Sequence, residues 1–134
     1  MTAKEVARAF YDLDLVKDTN AISHFHPECE LQWNSTKGFT TFNYKGIKNM
    51  LEGVQNSFLS FKYRLSHLLE DDNIITARYT IYVTAIETPD MEQPLAHFIS
   101  IWHVKEGKLF KGFEISQQVD ESVSSINSYS EIKV

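Results

Sequence analysis

The hydrophobic period of this chain changes once, near Phe61, and that change restricts the fold more than any other feature. Upstream, Ala3, Val6, Phe10 and Leu13 recur at helical spacing, as do Ile47, Met50, Leu51, Val54 and Phe58. The two stripes predict helices over 3–17 and 46–59. Between them, Asp18-Thr19-Asn20 can cap a short helix that buries Ile22 and Phe25. Pro27 ends that helix near His26, because the residue before a proline is pushed away from helical geometry. Glu30-Leu31-Gln32-Trp33 alternates polar and apolar residues and reads as a short strand, and polar residues 34–44 read as a loop.

From Phe61 the period is two. Phe61, Tyr63, Leu65, His67 and Leu69 alternate with Lys62, Arg64 and Ser66. Asp71-Asp72-Asn73 makes a turn into a strand over 74–87, rich in Ile, Thr, Tyr and Val. A loop from Thr88 to Pro94 leads to a strand over 95–104, and Lys105-Glu106-Gly107 turns into a last strand over 108–119. Helices gathered ahead of an antiparallel meander predict an α+β domain over residues 1–119. Three helices from its first half cover one face of a curved, cone-shaped, mixed or antiparallel sheet. A pocket is expected between the two layers. Residues 120–134, with five serines and little apolar periodicity, are expected to form a partly mobile tail.

Composition narrows the function classes. A net charge of −5 with scattered basic residues argues against nucleic acid as a partner. No apolar run approaches membrane-spanning length, and Met1–Val6 shows no signal-like core, so a cytoplasmic address without membrane contact is expected. Cys29 is the single cysteine, which excludes an internal disulfide. The histidines His24, His26, His97 and His103 lack metal-ligand spacing, so no metal or other cofactor is expected. His97 and His103 read as ordinary sheet histidines, one of them lining the pocket being the lesser alternative.

Three short pieces carry a resemblance to a known superfamily. They are Phe25-His26-Pro27-Glu28 leading into Leu31-Gln32-Trp33, Tyr44-Lys45-Gly46-Ile47, and Glu106-Gly107-Lys108-Leu109 running to Phe113-Glu114. In order and spacing the chain resembles the nuclear transport factor 2-like superfamily, in its SnoaL-like branch. The resemblance implies the cone-shaped fold and a pocket. It does not imply one function, since the superfamily hosts isomerases, cyclases, dehydratases, an epoxide hydrolase and binding domains.

The ketosteroid isomerase pattern requires a carboxylate base where this chain has Trp33 and a tyrosine where it has Phe10, with Tyr11 adjacent. Its second acid falls near Ile99 or Ser100, so that activity is rejected. The limonene epoxide hydrolase pattern implies Arg78 as the central cation, Glu114 as one acid and Asn34 as a water-positioning residue. Thr80 stands where its second carboxylate is needed, which argues against that activity too. What remains is a candidate Arg78–Glu114 pair. Arg78 shares a strand face with Thr76, Thr80, Tyr82 and Thr84, a polar stripe that suits solvent, so the resemblance and simple amphipathicity disagree on its direction. Gly112 and Ser116 flank Glu114 on its face and leave room for a pocket wall.

The candidate catalytic residues are therefore Glu114 and Arg78. Trp33, Phe98 and Trp102 are expected as apolar wall, and Tyr11, Asn34, Thr80 and Ser100 complete the candidate ligand pocket. The expected function is binding of an unknown small, mostly apolar molecule. The alternatives are a proton-transfer enzyme (isomerase, cyclase or dehydratase) with Glu114 as base, and a protein-interaction module. Both faces of the 95–104 strand carry apolar bulk, which predicts a homodimer through the convex face of the sheet.

Overall fold

The computed structural model describes residues 1–120 and Tyr129. Its elements run α1 (Ala3–Tyr11), a 3-10 turn (Ala21–His24), β1 (Phe25–Ser35), β2 (Gly38–Asn43), α2 (Tyr44–Ser57), β3 (Phe58–Asp71), β4 (Ile74–Ala85), β5 (Glu92–Lys105) and β6 (Lys108–Gln118). The strands form one mixed sheet in the order β2-β1-β6-β5-β4-β3, antiparallel except for the parallel pair β1–β6. Register shifts interrupt the ladders between Leu65 and His67, Ile81 and Tyr82, and His103 and Val104. Such bulges bend strands, and here they curve the sheet around the helices.

Two α-helices and a 3-10 turn stand where three helices were expected. Helix α1 opens with a capping box. The Thr2 hydroxyl accepts from the Glu5 N–H at 3.1 Å and the Thr2 N–H donates to the Glu5 carboxylate at 3.3 Å. The helix stops at Tyr11 rather than continuing to residue 17. Asp14 is the cause: its Oδ1 accepts from the N–H groups of Val16 (3.0 Å) and Phe61 (3.2 Å). That local alternative to helical bonding turns the chain onto the edge of β3, where Leu15 donates to the Phe61 carbonyl.

Strand β1 is longer than Glu30–Trp33 and accommodates Pro27 where its register with β6 shifts, between Phe25 and Glu30. The expected loop over 34–44 contains β2. That strand pairs with β1 across the Thr36-Lys37 turn, helped by Gly38 at φ +116°. Helix α2 starts on Asn43, whose side chain accepts from the Gly46 N–H at 2.9 Å, and buries Ile47 and Leu51. Each of those side chains contributes about 2 kcal/mol by leaving water. The Ser-rich tail expected from residue 120 lies, apart from Asp120 and Tyr129, outside the described residues.

The inner face of β4 carries Ile75, Ala77, Tyr79, Ile81 and Val83, all buried. Phe98 and Trp102 of β5 and Leu31 of β1 join them under α1 and α2. No helix among the described residues is long and apolar enough to cross a membrane.

Candidate functional site

The helices do not fill the hollow of the sheet. A cavity of about 390 Å³ remains, walled by Phe10, Phe25, Leu51, Phe61, Ile81 and Phe98, among other apolar side chains. Its exposed lining residues, Thr36, Lys37, Met50 and Gln118, mark a mouth beside the β1–β2 turn.

Glu114 lies in this wall. Sheet register dictates its neighbours: Glu114 of β6 pairs with Ser100 of β5 and Trp33 of β1, and Ser100 pairs with Ala77 of β4. The Ser100 hydroxyl donates to Glu114 Oε2 at 2.8 Å, and the Tyr79 hydroxyl reaches the same oxygen at 3.1 Å and Ser100 Oγ at 2.7 Å. The Trp102 indole N–H and the Tyr11 hydroxyl border this cluster, buried and without a formed hydrogen bond. Next to it, Trp33 donates from its indole N–H to Ser116 Oγ at 2.9 Å, which fixes the ring against Phe98.

Burial raises the Glu114 carboxyl above the ordinary carboxylate value, and donation from Ser100 and Tyr79 holds back part of that rise. Among the described residues no cation forms an ion pair with it. Tyr11, Tyr63 and Tyr79 are held above the ordinary phenol range, first by burial and then by the nearby Glu114 charge. They stay neutral. The arrangement is a carboxyl whose burial favours its protonated form, set among neutral hydroxyls in an apolar cavity wall.

The other candidate residues divide between the two faces of the sheet. Trp33, Phe98 and Trp102 line the cavity. Tyr11 and Ser100 are buried behind its wall, beside Glu114. Arg78, Thr80 and Asn34 are not at the site. Arg78 lies opposite Tyr79's face, donating to Ser66 Oγ at 3.0 Å, with its guanidinium 3.6 Å from the centre of the Tyr129 ring. The expected pairing with Glu114 is thereby overturned: consecutive strand residues point to opposite faces, and Tyr79, not Arg78, faces Glu114. Thr80 shares the outer face with Arg78 and bonds to His97 Nδ1 at 2.7 Å. Asn34 is exposed, one residue past Trp33 and so turned away from the cavity. The sequence reading missed Tyr79 and Tyr63. Tyr79 alternates with Arg78 and lies among the apolar residues of its strand, and the polar tip of a buried tyrosine was the available signal.

His97 stacks on Tyr129 with ring centres 4.3 Å apart, on the outer face with Arg78. Among the described residues no group of three His, Cys, Asp or Glu side chains could hold a metal ion.

No family model matches the chain, and no curated protein does. Solved structures do match. IdmH from Streptomyces antibioticus, a proposed polyketide cyclase, superposes with a TM-score of 0.69 at 12% identity, over 87% of this chain and 92% of its own. An LEH-like epoxide hydrolase from M. tuberculosis gives 0.66 at 12% identity, over 85% and 81%. An NTF2-like protein of unknown function from Cytophaga hutchinsonii gives 0.59 at 15% identity, over 85% and 88%. The chain has the nuclear transport factor 2-like fold, in the form shared with SnoaL-like polyketide cyclases.

Proposed function

We propose that this protein binds a small, mostly apolar molecule in the cavity between its helices and its sheet. The observation that carries this reading is the 390 Å³ space itself, apolar on nearly all sides and polar at one buried carboxyl. Pockets of this volume and character hold small organic ligands, their few polar groups fixing orientation. A thermal-shift screen of polycyclic ketones and phenols tests it, run beside Ala96→Trp, which places an indole in the lining. Ligands that stabilise the native chain and not the blocked variant support the reading. Equal effects on both, or none on either, sink it.

A second reading, proton transfer on the bound molecule with Glu114 as base, is favoured by the raised carboxyl and its hydroxyl donors. Deuterium exchange into a bound ketone, followed by NMR and abolished by Glu114→Gln, supports it. Exchange that survives the substitution removes Glu114 from the role.

We also propose a homodimer through the outer face of the sheet. Ile99 and Ile115 are cross-strand partners there, as are Ile101 and Phe113, and all four are exposed. Together they make a contiguous apolar patch on a chain of acidic net charge.

A further inference from the structure

We infer that the ligand carries an anionic group at one end, and that Lys37 at the cavity mouth receives it while an uncharged polar group meets Glu114 inside. This deepens the small-molecule reading above and rests on it. Among the described residues, Glu114 and Lys37 are the two charged side chains in the wall. They sit at opposite ends. Glu114 is enclosed by Ser100, Tyr79 and Trp102, whereas Lys37 is exposed in the turn between β1 and β2. Gln118, another mouth residue, lies four positions beyond Glu114 on the same strand face, so the two ends are separated by about 13 Å. That length suits a molecule of two or three fused rings with a short substituent.

The charges dictate the ligand's direction. An anion at the inner end would lose its water and face the Glu114 carboxyl, and both effects oppose it. A neutral carbonyl or hydroxyl there can instead bond to the Glu114 carboxyl or to the surrounding hydroxyls. At the mouth the balance reverses. The Lys37 ammonium forms no ion pair among the described residues, and its backbone N–H, which donates to Ser35 Oγ at 3.1 Å, holds the turn beneath it. The remaining lining there is Ser35, Thr36, Met50 and Gln118, which adds no negative charge.

Two fluorescent probes of nearly equal shape test this: neutral N-phenylnaphthylamine and its anionic counterpart, anilinonaphthalene sulfonate. Lys37→Ala is expected to weaken the sulfonate roughly 3- to 5-fold, as for a partly exposed ion pair, and Lys37→Glu roughly 10-fold. The neutral probe should change less than about 2-fold, within the range of a site that makes no charge contact. Lys37→Arg should restore the sulfonate, and added salt should weaken it in the native chain but not in Lys37→Ala. Lys17→Glu, an exposed reversal outside the lining, controls for net charge. Equal responses of the two probes to Lys37→Glu, or a Lys17→Glu effect as large, overturn the assignment while leaving the cavity reading in place. Probes that bind Ala96→Trp as well as the native chain lie outside the cavity, which also overturns it. If neither probe binds the native chain, the cavity reading itself falls and this inference falls with it.

Discussion

Gly112 of β6 and Trp102 of β5 are cross-strand partners, and a Cβ on residue 112 would lie 2.6 Å from the Trp102 indole. Trp102 is itself 3% exposed and packs its ring edge-on to Phe25, so it can withdraw only into the cavity that it lines. Glycine is required here by close approach and not by backbone conformation. Gly112→Ala should therefore cost about 1–3 kcal/mol of stability by overpacking. Thermal unfolding followed by circular dichroism checks this. An unchanged midpoint would mean that the indole slides into the cavity, and a loss of cavity ligands would then accompany it.

The donors around Glu114 set how far its carboxyl is raised. Ser100→Ala removes the 2.8 Å donor, and Tyr79→Phe removes the phenol at 3.1 Å. Each deletion takes stabilisation from the ionised form, so the Glu114 pKa should move further up in both variants. Carbon-detected NMR titration of the Glu114 carboxyl reads this directly. A downward movement would show that the hydroxyls mainly stabilise the protonated acid. Each variant should also lose roughly 1 kcal/mol of stability with its hydrogen bond.

Most of the sheet was legible because long stretches of β3 to β6 alternate, the pattern that burial of one face imposes. The phase fails across bulges, as between Leu65 and His67, beyond which Leu68 is buried and Leu69 exposed. Glu114 stood out because the small residues Gly112 and Ser116 flank it on its face; Ser116 does line the cavity, whereas the room at Gly112 is taken by the Trp102 indole. Arg78 was harder. Its neighbours on β4 are half-polar on one side and aromatic-aliphatic on the other, and the resemblance to an epoxide hydrolase pointed it inward while the pattern pointed it outward. The pattern was correct. Strand β2 left no trace because an edge strand with exposed faces has no buried side to enforce a period. The first helix was read too long because Leu13 continues its stripe, whereas Asp14 bonds to the backbone of another element, a contact that only the tertiary fold creates. Tyr79 hid among the apolar residues of its face because a phenol is mostly ring, and its hydroxyl acquires meaning only opposite Glu114.

Stability should depend on pH through Glu114. Its carboxyl is raised in the folded chain, chiefly by burial, so between the ordinary carboxylate value and the raised one the folded state binds more protons than the unfolded state. Stability is then greatest, as far as this group is concerned, below the ordinary value. It falls as pH rises toward the folded pKa and levels off above it. Urea unfolding from about pH 4 to about pH 8 should show that fall in the native chain and a flatter profile in Glu114→Gln. A native profile that rises through this window and matches that of Glu114→Gln would remove Glu114 as its source.

The outer-face patch makes the last prediction. Ile115 is 61% exposed, opposite Ile99 across the β5–β6 ladder, while Phe113 lies opposite Ile101 and meets His103 edge-on. These side chains point away from the cavity, so a charge placed among them does not disturb Glu114 or the wall. In the proposed dimer that charge would be buried against its own copy, where like charges meet across the two-fold axis. Light scattering should therefore give twice the 15.5 kDa chain mass for the native protein and the single mass for Ile115→Arg. Loss of dimer with an unchanged unfolding midpoint at high dilution would place the patch at the interface. A native protein that is already a monomer, or an Ile115→Arg variant that remains a dimer, would move the interface off this face.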